Sequence, residues 1–105
     1  AAIPPNSNRR RVALLGDMLE LGATEIQQHA DTGELALSLG LDIVGFAGPR
    51  FTEAMGPSAI CGPDAESLAE LIRDRIRPGD ILFIKGSRGM KMERVLHALE
   101  SKENR

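Results

Sequence analysis

The sequence predicts an α/β domain of three layers, in which a mostly parallel sheet of about four strands is flanked by helices. Two observations carry this expectation. Short apolar runs, each closed by a glycine, recur four times along the chain, and uninterrupted apolar strands are those covered on both faces of a sheet. Between them lie stretches with apolar residues three and four apart, the spacing of amphipathic helices. Strands alternating with helices pair in parallel through right-handed crossovers. A chain of 105 residues has room for one such domain and not for two independent cores.

Each element has its own signal. Arg11-Val12-Ala13-Leu14-Leu15-Gly16 reads as the first strand. Residues 24–39 read as a helix with Ile26, Ala30, Gly33 and Leu37 on one face and Ala36 beside them; Thr24 is placed to cap its start and Gly40 to end it. Residues 42–48 form the second apolar run, residues 50–55 leave room for one short helical turn, and residues 58–62 form the third run. Asp64 is placed to cap a helix whose stripe is Leu68, Leu71, Ile72 and Ile76, stopped by Pro78-Gly79. Residues 80–86 make the fourth and strongest run. A last helix is expected from Gly89 or Met90, with Met92, Val95, Leu96 and Leu99 inward and residues 101–105 frayed. The alternation is Rossmann-like. Residues 1–10, with Pro4-Pro5 and the turn formers Asn6, Ser7 and Asn8, read as a linker before a domain at 11–105. Such an opening, without an initiator Met, points to a piece of something longer.

Composition removes several functions. Lys and Arg total 13 against 15 Asp and Glu, a formal charge of −2, whereas generic nucleic-acid binders carry a basic surplus. The single cysteine, Cys61, excludes an internal disulfide framework and a Cys-rich zinc site, and it reads as a small core residue. No apolar run approaches the ~20 residues of a membrane span. With no Trp or Tyr and three Phe, stacking platforms for bases are scarce.

In open parallel sheets ligands bind outside the carboxyl ends of the strands, near a switch in strand order. An order of 3-2-1-4 makes the first and fourth strands neighbours, so Gly16-Asp17-Met18 is expected beside Lys85-Gly86-Ser87. The fourth-strand loop continues Arg88-Gly89-Met90-Lys91 into the expected helix. Free N–H groups at a helix start favour anions, and Lys85, Arg88 and Lys91 add positive charge, with Arg88 suited to grip a carboxylate. A strand–helix turn with solvated basic residues is the equal alternative. The loop is neither a Walker A loop nor a dinucleotide fingerprint. Asp17 is suited to orient a ligand amine or a metal-bound water, or to cap a turn. Met18, Leu19 and Leu21 are apolar on a loop, which suggests packing onto something, such as another domain. His29 reads as a structural or surface residue.

Two stretches together are similar to a known family. Leu14-Leu15-Gly16-Asp17-Met18-Leu19-Glu20-Leu21-Gly22, with His29 and Gly33 downstream, and Ile84-Lys85-Gly86-Ser87-Arg88-Gly89-Met90-Lys91 resemble the C-terminal domain of a Mur ligase, of the MurF type. The resemblance covers residues 11–99, with 46–66 matching in pattern only. It implies part of an ATP-dependent ligase that adds D-alanyl-D-alanine to UDP-N-acetylmuramoyl-tripeptide through an acyl phosphate, in cytoplasmic peptidoglycan precursor synthesis. It further implies that ATP and Mg2+ are held mainly by a central domain, that N-terminal and central domains belong to the same chain, and that this domain closes over the site. Asp17, Met18, Lys85, Gly86, Ser87 and Arg88 become the substrate-binding residues, with no catalytic residue or metal ligand in this stretch and no nucleic acid or membrane as partner. The chain has no P-loop and lacks the family's Tyr-Asn-Ala-Asn-Pro motif, which implies that Ala1 lies downstream of that motif and that the isolated chain is inactive. A stand-alone α/β module that binds an anion or nucleotide is the alternative.

Overall fold

The computed structural model describes residues 9–19 and 22–103, with side chains through residue 99. Its elements are β1 (Arg11–Gly16), α1 (Glu25–Ser38), β2 (Ile43–Ala47), α2 (Pro49–Met55), β3 (Ile60–Gly62), α3 (Ala65–Ile72), β4 (Ile81–Lys85) and α4 (Glu93–Glu103). All strand pairs are parallel and the order is β3-β2-β1-β4. The expected order and the Rossmann-like α/β class are therefore present. The expected linker, apart from Arg9 and Arg10, lies outside the described residues, as do Glu20 and Leu21.

Alternation along each strand sorts the core into two layers. Val12, Leu14, Ile43 and Ala47 pack with Ala65, Leu68, Ala69 and Ile72 of α3 and with Val95 and Leu99 of α4. On the opposite face Val44 and Phe46 pack with Ala36 of α1 and Phe51 of α2. On that second face, over β1 and β4 and beside α1, an apolar groove of about 430 Å3 runs past Ala13, Leu15, Leu35, Leu39 and Phe83. No helix among the described residues is long and apolar enough to cross a membrane.

Several expectations need correction. Thr24 stands at the start of α1 without capping it; a 3-10 turn (Gly22–Thr24) precedes, and the threonine hydroxyl instead accepts a bond from Gln28. The inward face of α1 is His29, Gly33 and Ala36, while Leu37 is exposed. Leu71 and Leu96, expected inward, are also exposed. Asp64 does cap α3, accepting from the Ser67 N–H at 2.8 Å, but the helix ends at Ile72, before Pro78. The final helix begins at Glu93, because a 3-10 turn (Arg88–Met90) and a left-handed Lys91 come first, and it continues to Glu103.

The edge strand is anchored at its base. The Arg10 guanidinium meets both oxygens of Asp80 at 3.0 and 3.1 Å, and the Arg77 N–H adds a third bond at 2.9 Å. Arg9 Nε donates to the Gly79 carbonyl. The Arg10 hydrogen bond is the main reason the Asp80 carboxyl lies below the usual carboxylate range. A depressed folded pKa stabilises above the unfolded value, about 3.9, and the stabilisation disappears as pH falls through the folded value. Urea midpoints should therefore show wild type more stable than Asp80→Asn at pH 7, with the gap narrowing below about pH 4. A gap unchanged at acid pH would mean the ion pair does not contribute.

Candidate functional site

Parallel pairing puts the ends of β1 and β4 side by side, with Leu15 opposite Lys85. Just beyond, the two backbones nearly touch. A Cβ on Gly86 would stand 3.0 Å from Gly16 Cα, and one on Gly16 would meet the Met92 sulfur at 2.6 Å. Glycine at both positions is thus a packing requirement as well as a turn signal. Two hydrogen bonds join the loops: the Ser87 N–H donates to the Asp17 carbonyl at 3.2 Å, and the Leu19 N–H donates to Ser87 Oγ at 2.7 Å. The expected juxtaposition of Gly16-Asp17-Met18 with Lys85-Gly86-Ser87 is present.

Met18, Lys85, Gly86 and Ser87 line one crevice of about 200 Å3, together with Leu15, Thr32 and Phe51. Arg88 is elsewhere. It lines a second hollow on the α4 side, shared with Gly86, Ser87 and Glu93. The loop N–H groups are partly engaged within the protein, since Met90 donates to the Ser87 carbonyl and Lys91 to that of Arg88. The expected run of free helix-start donors beside Arg88 is therefore replaced by a 3-10 turn.

Asp17 lies beneath the crevice, fully buried. Its carboxylate accepts from the N–H groups of Arg50 and Phe51, both at 2.9 Å. These are donors of the first turn of α2, which has glycine at its N-cap and no side-chain cap of its own. Asp17 supplies the missing acceptor from another loop, the charge that a helix start favours. Arg50 reaches the same carboxylate at 3.5 Å and bonds Glu25 at 2.7 Å; the Glu25 hydrogen bond is the main cause that holds the guanidinium in its charged form. His29 is also fully buried, edge-on to Phe51 with ring centroids 4.6 Å apart. Met18 and Leu19, expected to pack onto something, do so within this domain: Met18 on the Val44–Phe46–Phe51 layer and Leu19 over Gly89. Cys61 borders the same layer, and burial pushes its thiol pKa up, the opposite of an activated nucleophile. Among the described residues no group of three His, Cys, Asp or Glu side chains is placed to hold a metal ion.

Sequence reasoning did not single out Arg50, Glu25 or Thr32. The buried acid after β1 was its one local clue. The partners of that acid come from α1 and α2, whose packing no local pattern announces.

The arrangement can be compared with known proteins. The ligase named UDP-N-acetylmuramoyl-tripeptide–D-alanyl-D-alanine ligase in Mycobacterium leprae is 35% identical over 95 residues, covering 80% of this chain and 18% of its own. That of Escherichia coli is 32% identical, covering 86% and 21%. The crystal structure of MurF ligase from Thermotoga maritima in complex with ADP superposes with a TM-score of 0.73 and 29% identity over 91% of this chain. The chain matches the C-terminal domain of the MurF ligases. A MurF structure from Acinetobacter baumannii agrees, with a TM-score of 0.73 at 25% identity. The chain spans about a fifth of the length of these MurF relatives. No family model matches it.

Proposed function

We propose that this chain is the C-terminal closing domain of an ATP-dependent ligase that joins D-alanyl-D-alanine to UDP-N-acetylmuramoyl-tripeptide in the cytoplasm. Residues 1–10 are the link to the preceding domains and 11–105 the domain itself. The observation that carries the reading is the crevice at the carboxyl edge of β1 and β4, where Met18, Lys85, Gly86 and Ser87 meet. Its size and chemistry suit a small dipeptide. Lys85 offers a cation to the carboxylate and Ser87 a hydroxyl, while Arg88 stands next door, within reach of a ligand that extends past Ser87. Asp17 acts without touching the substrate, by holding the loop through its carbonyl and carboxylate. Holding the dipeptide amine in one orientation is a large part of what such a domain contributes to amide formation. ATP and Mg2+ fall to the preceding domains, since this sequence holds no phosphate-cradling P-loop.

In the intact ligase, Lys85→Ala and Arg88→Ala should each raise KM for the dipeptide by about tenfold, the loss of one charge-assisted bond, and leave KM for ATP nearly unchanged. The 105-residue chain alone, assayed in parallel, should turn over no ATP. A rise in the ATP constant with the dipeptide spared would assign the loop to the nucleotide. No change in either would leave Lys85 and Arg88 as solvated turn residues.

A further inference from the structure

His29 makes two hydrogen bonds that fix its state. The Met18 N–H points at Nε2 from 2.9 Å. An amide can only donate, so Nε2 is an unprotonated acceptor. The proton of the neutral ring is then on Nδ1, which donates to the Glu25 carbonyl one turn back in α1. Asp17 Oδ1 lies 3.9 Å from Nε2, Arg50 approaches Asp17 and Glu25 from α2, and Phe51 closes the ring edge. The imidazole is therefore locked in position, and the bond it offers goes to the residue between Asp17 and Leu19.

We infer that His29 is a positioning residue for the crevice, holding the Met18 N–H so that Leu19 and Asp17 present Ser87 as a hydrogen-bond donor. Leu19 N–H occupies an acceptor position on Ser87 Oγ, and Asp17 carbonyl holds the Ser87 backbone. With its oxygen accepting from Leu19, the serine keeps its own O–H to donate, which suits a carboxylate or carbonyl oxygen of the ligand. Releasing Met18 frees the loop at its midpoint and loosens both bonds to Ser87. Met18 itself lines the crevice, so the same bond also sets one wall. This role presupposes that the crevice takes the dipeptide, as proposed above.

The test compares His29→Gln with His29→Asn in the intact ligase. Glutamine places its amide near the Nε2 level and can still accept from Met18. Asparagine reaches only the Nδ1 level, keeping the Glu25 bond and losing Met18. Asparagine should raise dipeptide KM about tenfold with kcat and ATP KM nearly unchanged, and glutamine should restore it to within a few-fold of wild type. In 15N-labelled chain, the imidazole should show a protonated Nδ1 and a bare Nε2, and the Met18, Leu19 and Ser87 amides should move in the asparagine variant and stay in the glutamine one. Equal dipeptide constants for the two variants would overturn the positioning role, provided that Lys85→Ala raises that constant. If Lys85→Ala and Arg88→Ala leave it unchanged, the dipeptide reading fails instead, and this role with it. A protonated Nε2 in the wild-type spectrum would overturn the inference directly.

Discussion

Replacing Asp17 by alanine should destabilise the domain by about 3–4 kcal/mol, because the buried Phe51 N–H and the half-buried Arg50 N–H at the start of α2 lose a charged acceptor together. The carboxylate is fully buried and divides its oxygens between Phe51 and Arg50. Glycine at the N-cap of α2 offers no side chain, so nothing local compensates. Asparagine should fall between: its carbonyl oxygen serves one N–H, while its NH2 faces the other donor. Urea denaturation of the three proteins measures this directly. A loss below about 1 kcal/mol for alanine would place Asp17 among ordinary surface substitutions and remove the cap from the account of the site.

Gly48→Ala should be of similar size. The glycine sits at φ 117° and ψ 156°, a region essentially reserved for glycine, where another residue carries roughly 1–3 kcal/mol of strain. An added Cβ would also stand 2.3 Å from the Asp17 carboxyl carbon. The methyl group and the cap therefore compete for one space, and a total of about 3–4 kcal/mol is expected, lowering Tm by roughly 12–30 °C for a domain of this size. The double variant with Asp17→Ala tests the geometry. Alanine at 17 vacates that space, so the pair should destabilise by less than the sum of the singles by at least about 1 kcal/mol. Strict additivity would mean that Gly48 and Asp17 do not contend for the same position.

The strands were the most legible part of the chain. Glycine-closed apolar runs mark β1 and β2 because burial on both faces leaves few polar positions to confuse the pattern, and they mark the partly buried edge strand β4 as well. The helices were less so. Counting periods selects Leu37 for the inward face of α1, yet His29 is the residue inside, because both its nitrogens find partners and a satisfied imidazole packs as well as an aliphatic chain. Apolarity alone cannot separate Leu71 and Leu96, exposed at 50% and 41%, from Leu68 and Leu99. The start of α4 was misplaced because the left-handed Lys91, at φ 51°, delays the helix, and no residue type there signals it. At the site, the meeting of Gly16-Asp17-Met18 with Lys85-Gly86-Ser87 followed from strand order. The pairing of Asp17 with α2 did not, since it depends on a turn that begins more than thirty residues later. The position of Arg88 in a separate hollow depends on the sense of a 3-10 turn, which neighbouring glycines leave open.

The place of β1 between β2 and β4 has a consequence for how the molecule is made. Its partner on one side follows after a single helix, while its partner on the other is the last strand among the described residues, about seventy residues downstream. Closing so long a loop carries an entropic penalty before any contact rewards it, which slows folding. During synthesis β1, β2 and α1 are available to associate while the second edge of β1 still shows unpaired N–H and C=O groups and the apolar side chains that β4 will cover. That interval is when a growing chain is open to pairing with a neighbour. The arrival of residues 81–85 ends it, and the same event brings Ser87 to Asp17. Completion of the sheet and completion of the crevice are one step, so a chain with a finished site is a chain whose most exposed strand edge has already been sealed.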